Sequence, residues 1–119
     1  MDNSIKIYEK TWGCEKWITN NEFYCGKILC INKWNRCSFH YHKLKREHFY
    51  INFGKIELWY AYHDDFSTSS CKIMLPGDVM FIPQLLRHCF VALEDSEIFE
   101  VSTTHFDTDS YRINVNGNK

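Results

Sequence analysis

The chain has 119 residues, of which 45% are hydrophobic and 17% aromatic, so it can bury a core of its own and does not have the composition of a disordered segment. Its formal net charge of -1 argues against a nucleic-acid binder held by phosphate contacts. No apolar stretch approaches the roughly 18 residues needed to span a bilayer, and the first residues lack the apolar core of a signal peptide. We therefore expect a cytoplasmic protein with no membrane partner. Its six cysteines show no CxxC spacing and are expected to be mostly buried, reduced thiols.

Alternation of apolar and polar residues predicts a succession of short strands separated by turn signals. In chain order the predicted strands are Ile5–Lys10, Glu15–Thr19, Phe23–Ile31, Cys37–His42, His48–Phe53, Lys55–Tyr62, Ser70–Leu75, Asp78–Ile82, His88–Leu93 and Glu97–Thr104. Strands this short at this spacing predict an all-β sandwich or barrel. We expect one domain over residues 1–113 and a flexible polar tail over residues 114–119.

Two histidines one residue apart, His40 and His42, are the first sign of a chemical site. Residues i and i+2 of a strand point to the same face, so both imidazoles are expected side by side. Glu47 can join them from the neighbouring strand, and His88 adds a fourth donor from a distant one. Three imidazoles and one carboxylate suit one divalent metal ion, such as Zn, Fe, Mn, Ni or Co.

Several charged residues are candidates for the surroundings of such a site. Glu100 lies mid-strand, where it either faces inward as a proton-transfer base beside the metal or faces outward into solvent. Lys27 either faces the cavity and binds an anionic substrate or is a solvated strand lysine. The basic residues Lys43, Lys45 and Arg46 are expected in an exposed loop at the mouth of the barrel.

The spacing of these residues resembles the two sequence motifs of the cupin superfamily. The matching positions are His40, His42, Glu47 and Gly54 for the first motif, then Gly77, Pro83 and His88 for the second. The glycine that usually opens the first motif is Trp34 here, and the internal glycine of the second is Leu85. The resemblance implies an all-β, cupin-type double-stranded β-helix, or jelly-roll barrel. Because cupins are often dimers, it also implies a homodimer.

A narrower resemblance is to the cupin domain of type II mannose-6-phosphate isomerases. Segments similar to theirs are Lys10–Gly13, Glu47–Phe49 and Asp109–Arg112. This resemblance implies a metal-dependent isomerase or epimerase acting on a sugar or sugar phosphate, with Arg112 as a catalytic and substrate-binding residue. A metal-dependent dioxygenase is one alternative, since the same ligands can hold Fe(II). A non-catalytic sugar-binding cupin that assists a glycan-biosynthesis enzyme is the other.

Overall fold

Alternating apolar residues fold into two antiparallel β-sheets in the computed structural model, which describes residues 4–115. Two short 3-10 turns, Phe66–Thr68 and Asp107–Asp109, interrupt the strands. The strands are β1 Lys6–Lys10, β2 Gly13–Asn20, β3 Cys25–Ile31, β4 His40–Tyr41, β5 Glu47–Phe53, β6 Ile56–Ala61, β7 Ser70–Met74, β8 Val79–Ile82, β9 Arg87–Ala92, β10 Ser96–Ser102 and β11 Tyr111–Arg112. No helix within residues 4–115 has the length and apolarity needed to cross a membrane.

The strand order produces a jelly roll. One sheet has six strands in the order β1-β2-β3-β10-β5-β8, and the other has five in the order β11-β4-β9-β6-β7. The chain changes sheet at almost every connection after β3, so strands distant in sequence become neighbours. This topology confirms the all-β jelly-roll prediction and brings β4, β5 and β9 to one end of the interior.

The core lies between the two sheets and is built by the inward-facing half of each strand. Its central side chains, each at most 3% exposed, are Phe49, Ile51, Ile56, Leu58, Phe90 and Ile98. Burying such a side chain contributes roughly 1.5–3 kcal/mol, so this apolar layer supplies the rigid floor on which polar residues of the same strands can be held. The inner face of β9 shows this directly, because it carries His88 beside Phe90 and Ala92.

Most predicted strands agree with the observed ones to within two residues at each end. The segment predicted as Cys37–His42 differs most, because only His40–Tyr41 forms a regular strand. Arg36 makes an isolated bridge to Val91 on β9, so the chain before β4 follows the sheet without forming a continuous ladder. The two-residue strand β11 was not predicted.

The described cysteines are all free thiols, as expected, but their burial is mixed. Cys71 is exposed, and Cys14 and Cys30 are only half-buried. Within the predicted tail, Val115 packs against the core, whereas residues 116–119 lie outside the described part of the chain.

Candidate metal centre

Three histidines meet at one end of a cavity of about 370 Å³ between the sheets. His40 in β4 is the direct register partner of His88 in β9, and His42 follows β4 immediately. One ring nitrogen from each of the three lies within 4.8 Å of the others. Three histidines this close together can bind one metal ion.

Hydrogen bonds to backbone carbonyls fix the orientation of all three imidazoles. A carbonyl only accepts, so each Nδ1 must carry the hydrogen, and each Nε2 is left with a free lone pair. The acceptors are the carbonyls of Ser38 for His40 (2.8 Å), Asp109 for His42 (2.7 Å) and Leu86 for His88 (2.9 Å). The neutral form is also favoured at His40, whose pKa is lowered well below its usual value by burial and by the neighbouring histidines.

Glu47, at the start of β5, faces the same point from the opposite sheet. Its Oε2 atom lies 3.3 Å from Nε2 of His88 and 3.4 Å from Nε2 of His42. Glu47 Oε2 and His88 Nε2 are the buried side-chain polar atoms of residues 4–115 that have no hydrogen-bond partner. Leaving such groups unpaired costs about 1–3 kcal/mol each, and a cation bound between them would remove that cost. The donor set therefore fits a divalent transition metal.

Lys45 is buried inside the site, contrary to the exposed loop predicted for it. Only 3% of its surface is accessible, and its Nζ lies 2.6 Å from Glu100 and 3.6 Å from Glu47. The same atom lies 3.2 Å from Nδ1 of His105, a histidine that lacks metal-ligand spacing in the sequence and was only a weak candidate for supporting the site. Burial alone would raise the pKa of Glu47, but the Lys45 ammonium together with His42 and His88 outweighs it and holds that pKa well below its usual range.

Asp109 explains why Lys45 turns inward. The buried Asp109 carboxylate accepts hydrogen bonds from three consecutive backbone N–H groups, those of Lys43 (2.8 Å), Leu44 (3.1 Å) and Lys45 (3.0 Å). This contact folds the loop between β4 and β5 over the Asp107–Asp109 turn. Lys43 and Arg46 remain exposed, as the sequence predicted for them.

Glu100 adopts the inward orientation of the two alternatives. It lies on β10, is 5% exposed, and accepts a hydrogen bond from the Ser102 hydroxyl at 3.3 Å. Burial and the Glu47 carboxylate raise its pKa, although the Lys45 ammonium acts in the opposite direction. A buried carboxyl group with a raised pKa, beside a candidate metal, has the properties of a proton-transfer group.

Lys27 also faces the cavity and is 2% exposed. Its ammonium lies 3.5 Å from Glu15 and 4.1 Å from the ring centre of Trp17, whose indole N–H donates to Glu15 at 2.9 Å. Burial would raise the pKa of Glu15, but Lys27, the Trp17 indole and Lys10 together lower it overall. Glu15 was not predicted as a site residue, although the alternation within β2 places it, with Trp17, on the same face of the sheet as Lys27.

Arg112 lies on β11 and lines the cavity. It is paired in register with His40 of the neighbouring strand, but its side chain is exposed. The structure thus places Arg112 at the rim and Glu100 and Lys27 inside. Cationic groups therefore lie both at the rim of the cavity and in its interior.

No protein family model matches the sequence, and neither does any curated protein. Solved structures do match. An RmlC-like cupin from Shewanella frigidimarina superposes with a TM-score of 0.74 at 15% identity, covering 91% of each chain. KdgF from Halomonas sp. gives 0.68 at 19% identity, covering 80% of this chain and 81% of that one.

The capsular polysaccharide assembling protein CapF from Staphylococcus aureus gives a TM-score of 0.77 at 17% identity. The match covers 94% of this chain but 35% of CapF, so this chain spans about a third of that protein's length. Together these likenesses show that the chain has the cupin fold, as its two motifs predicted.

Proposed function

We propose that this protein is a metal-dependent isomerase or epimerase of a sugar or sugar phosphate. The observation that carries the proposal is the convergence of three oriented Nε2 atoms and the unpaired Oε2 atom of Glu47 at one end of a polar cavity. His40, His42, Glu47 and His88 would hold one divalent cation. A bound cation would polarise a substrate carbonyl and stabilise negative charge on its oxygen atoms.

Proton transfer in the proposed reaction is assigned to Glu100. Aldose–ketose isomerisation moves one proton from the carbon beside the carbonyl to the carbonyl carbon, and a single base positioned near both carbons can do this. The raised pKa of Glu100 lets its carboxyl group hold the proton between the two half-reactions. Lys45, 2.6 Å away, stabilises the carboxylate form that begins the cycle.

Substrate recognition is assigned to the cationic groups that line the cavity. Arg112 at the rim is suited to a phosphate, because a guanidinium can donate two parallel hydrogen bonds. Lys27 would bind substrate oxygens deeper in the cavity. The resemblance to CapF, which is a capsular polysaccharide assembling protein, supports a carbohydrate substrate.

Solvent isotope exchange tests the reaction. Incubation of the metal-loaded protein with a panel of hexose phosphates in deuterated water should place deuterium on the substrate carbon, as measured by NMR. Glu100→Gln should abolish exchange, whereas Glu97→Gln should not. Glu97 lies on the same strand as Glu100 but on its outer face, where it accepts a hydrogen bond from Asn52. Absence of exchange with every sugar tested would contradict isomerisation. Saturable sugar binding without turnover would then favour a binding module, and oxygen consumption by iron-loaded protein would favour a dioxygenase.

Metal analysis tests the centre separately from the reaction. Purified protein should retain about one equivalent of a divalent transition metal, measured by plasma mass spectrometry. His88→Gln should lower this content strongly, because the His88 side chain is only 1% exposed and lies where the candidate ligands converge. His63→Gln, on an exposed loop, is the matched control. Equal metal content in the two variants would contradict the proposed ligand set.

We further propose a homodimer formed through the outer face of the six-stranded sheet. Exposed apolar side chains cluster there on neighbouring strands, namely Tyr50, Val79, Phe81 and Val101, each at least 42% exposed. Val101→Glu should convert a dimer to a monomer in sedimentation equilibrium, whereas Tyr62→Glu, exposed at the end of the other sheet, should not. A monomeric parent protein would contradict this proposal.

A further inference from the structure

Two half-buried cysteines lie opposite each other on the outer face of the six-stranded sheet. Cys14 in β2 is the register partner of Cys30 in β3, and both are free thiols. Directly opposed residues of antiparallel strands have Cα atoms about 4.5 or 5.5 Å apart. Both spacings lie within the range of about 4.4–6.8 Å that a disulfide spans. The backbone register therefore brings the two Cα atoms within the separation that a disulfide spans.

The neighbouring glycine, Gly13, allows the two strands to lie close together at this position. A Cβ atom on Gly13 would lie 1.9 Å from the carbonyl oxygen of Cys30, a distance that no side chain tolerates. Only glycine lets β2 approach β3 this closely, one residue before Cys14. The two thiols also interact, since burial and the Cys14 thiol both raise the pKa of Cys30.

We propose that Cys14 and Cys30 form a reversible disulfide with a low-molecular-weight disulfide as the oxidant. The thiolate of one cysteine attacks a sulfur of the oxidant and releases one small thiol, which leaves a mixed disulfide on the protein. The second thiolate then attacks the protein sulfur of that mixed disulfide and releases the second small thiol. Two cysteine thiols are oxidised to one disulfide, and the oxidant is reduced to two thiols that take up the two protons.

The cross-link would join β2 and β3, the two strands that carry Lys27 and its contacts Glu15 and Trp17 on one wall of the cavity. Glu15 and Trp17 lie on the inner face of β2 beside Cys14, and Trp17 is the register partner of Lys27 on β3. A disulfide between Cys14 and Cys30 closes the loop that contains all three residues. Oxidation would therefore restrain this wall from the outside, without a thiol entering the cavity. The proposal does not depend on a metal or on the isomerase assignment.

Peptide mapping after oxidation tests the proposal. Purified protein is incubated with excess glutathione disulfide, quenched with acid, alkylated and digested. Mass spectrometry should find a peptide pair joined through Cys14 and Cys30, which dithiothreitol separates. The oxidised protein should unfold at a higher temperature than the reduced protein, because the cross-link restricts the unfolded chain. Cys71→Ser should behave like the parent, since Cys71 lies exposed on another strand.

The single-cysteine variants distinguish a true pair from two independent thiols. In Cys14→Ser, oxidation should stop at a stable mixed disulfide on Cys30, and Cys30→Ser should stop at one on Cys14. Three results would overturn the proposal. These are unresolved mixed disulfides in the parent, full alkylation of both cysteines after oxidation, or a cross-link mapped to the buried pair Cys37 and Cys89.

Discussion

At the scale of single residues, two non-glycine residues within the described range 4–115 adopt left-handed backbone conformations. Trp34 has a φ of 69° and Leu85 a φ of 71°. These are the two positions at which the cupin motifs usually have glycine. A side chain there costs roughly 1–2 kcal/mol. The departures from the motif have therefore left the turn geometry in place, with strain at both positions.

Leu85→Gly is expected to stabilise the protein by up to about 1 kcal/mol, because relief of the strained φ exceeds the roughly 0.5–1 kcal/mol of extra freedom that glycine gives the unfolded chain. Leu85 is 47% exposed, so little apolar burial is lost. The measurement is the urea midpoint. Leu75→Gly, at a similarly exposed leucine (48%) without a positive φ, should lower the midpoint. A lower urea midpoint in both variants would contradict the proposed backbone strain at Leu85.

The convergence of His40, His42, Glu47 and His88 was predictable from the sequence, because strand alternation and motif spacing both constrain these residues. The burial of Lys45 was not predictable in this way. Its orientation depends on a hydrogen bond to Asp109, which lies 64 residues away. A lysine in a basic loop is normally solvated, and no residue near Lys45 in the sequence indicates that its side chain pairs with Glu47 and Glu100 in the interior.

Lys45→Met is expected to destabilise the protein by about 3–5 kcal/mol, since it leaves Glu47 and Glu100 as buried carboxylates without their cation. The double variant Lys45→Met/Glu100→Gln should recover part of this loss, because one of the two charges is also removed. Urea unfolding of the parent, of Lys45→Met, of Glu100→Gln and of the double variant gives the coupling free energy between the two side chains. Lys43→Met, at an exposed neighbour, should change stability little. Additive losses in the double variant would contradict the buried pair.

At the scale of elements, the period-two pattern predicted the long strands well and the short ones poorly. A two-residue strand such as β4 or β11 carries no periodicity of its own. Each exists because a longer neighbour pairs with it, as β4 pairs with β9 at His40 and His88. The loop between β4 and β5 is similar, since its conformation is set by the Asp107–Asp109 turn rather than by its own residues.

Asp109→Ala is expected to loosen that loop, because the backbone N–H groups of residues 43–45 lose their shared acceptor. Each buried N–H left unpaired costs about 1–3 kcal/mol, so amide hydrogen exchange at these residues should become faster. Asp107→Ala is the matched control, because the Asp107 side chain is 89% exposed in the same turn. Unchanged exchange in Asp109→Ala would show that other contacts hold the loop.

At the scale of the whole molecule, the charged cavity connects global stability to pH through His105. Burial lowers the pKa of His105 to about 4, and the ammonium groups of Lys45 and Lys27 act in the same direction. In the unfolded chain a histidine titrates near pH 6.5. Between about pH 6.5 and about pH 4, the unfolded chain therefore binds a proton that the folded chain excludes, and stability falls as the pH drops through this window.

His105→Gln is expected to flatten part of this decline, because glutamine keeps a polar side chain but cannot take up the proton. The measurement is the urea midpoint of parent and variant at several values between about pH 7.5 and pH 4.5. His63→Gln should follow the parent, since His63 lies on an exposed loop. Parallel curves for parent and His105→Gln would mean that other groups carry the pH dependence. A curve that converges with the parent above neutral pH and lies above it in acid would identify His105 as the group through which the cavity charges act on folding.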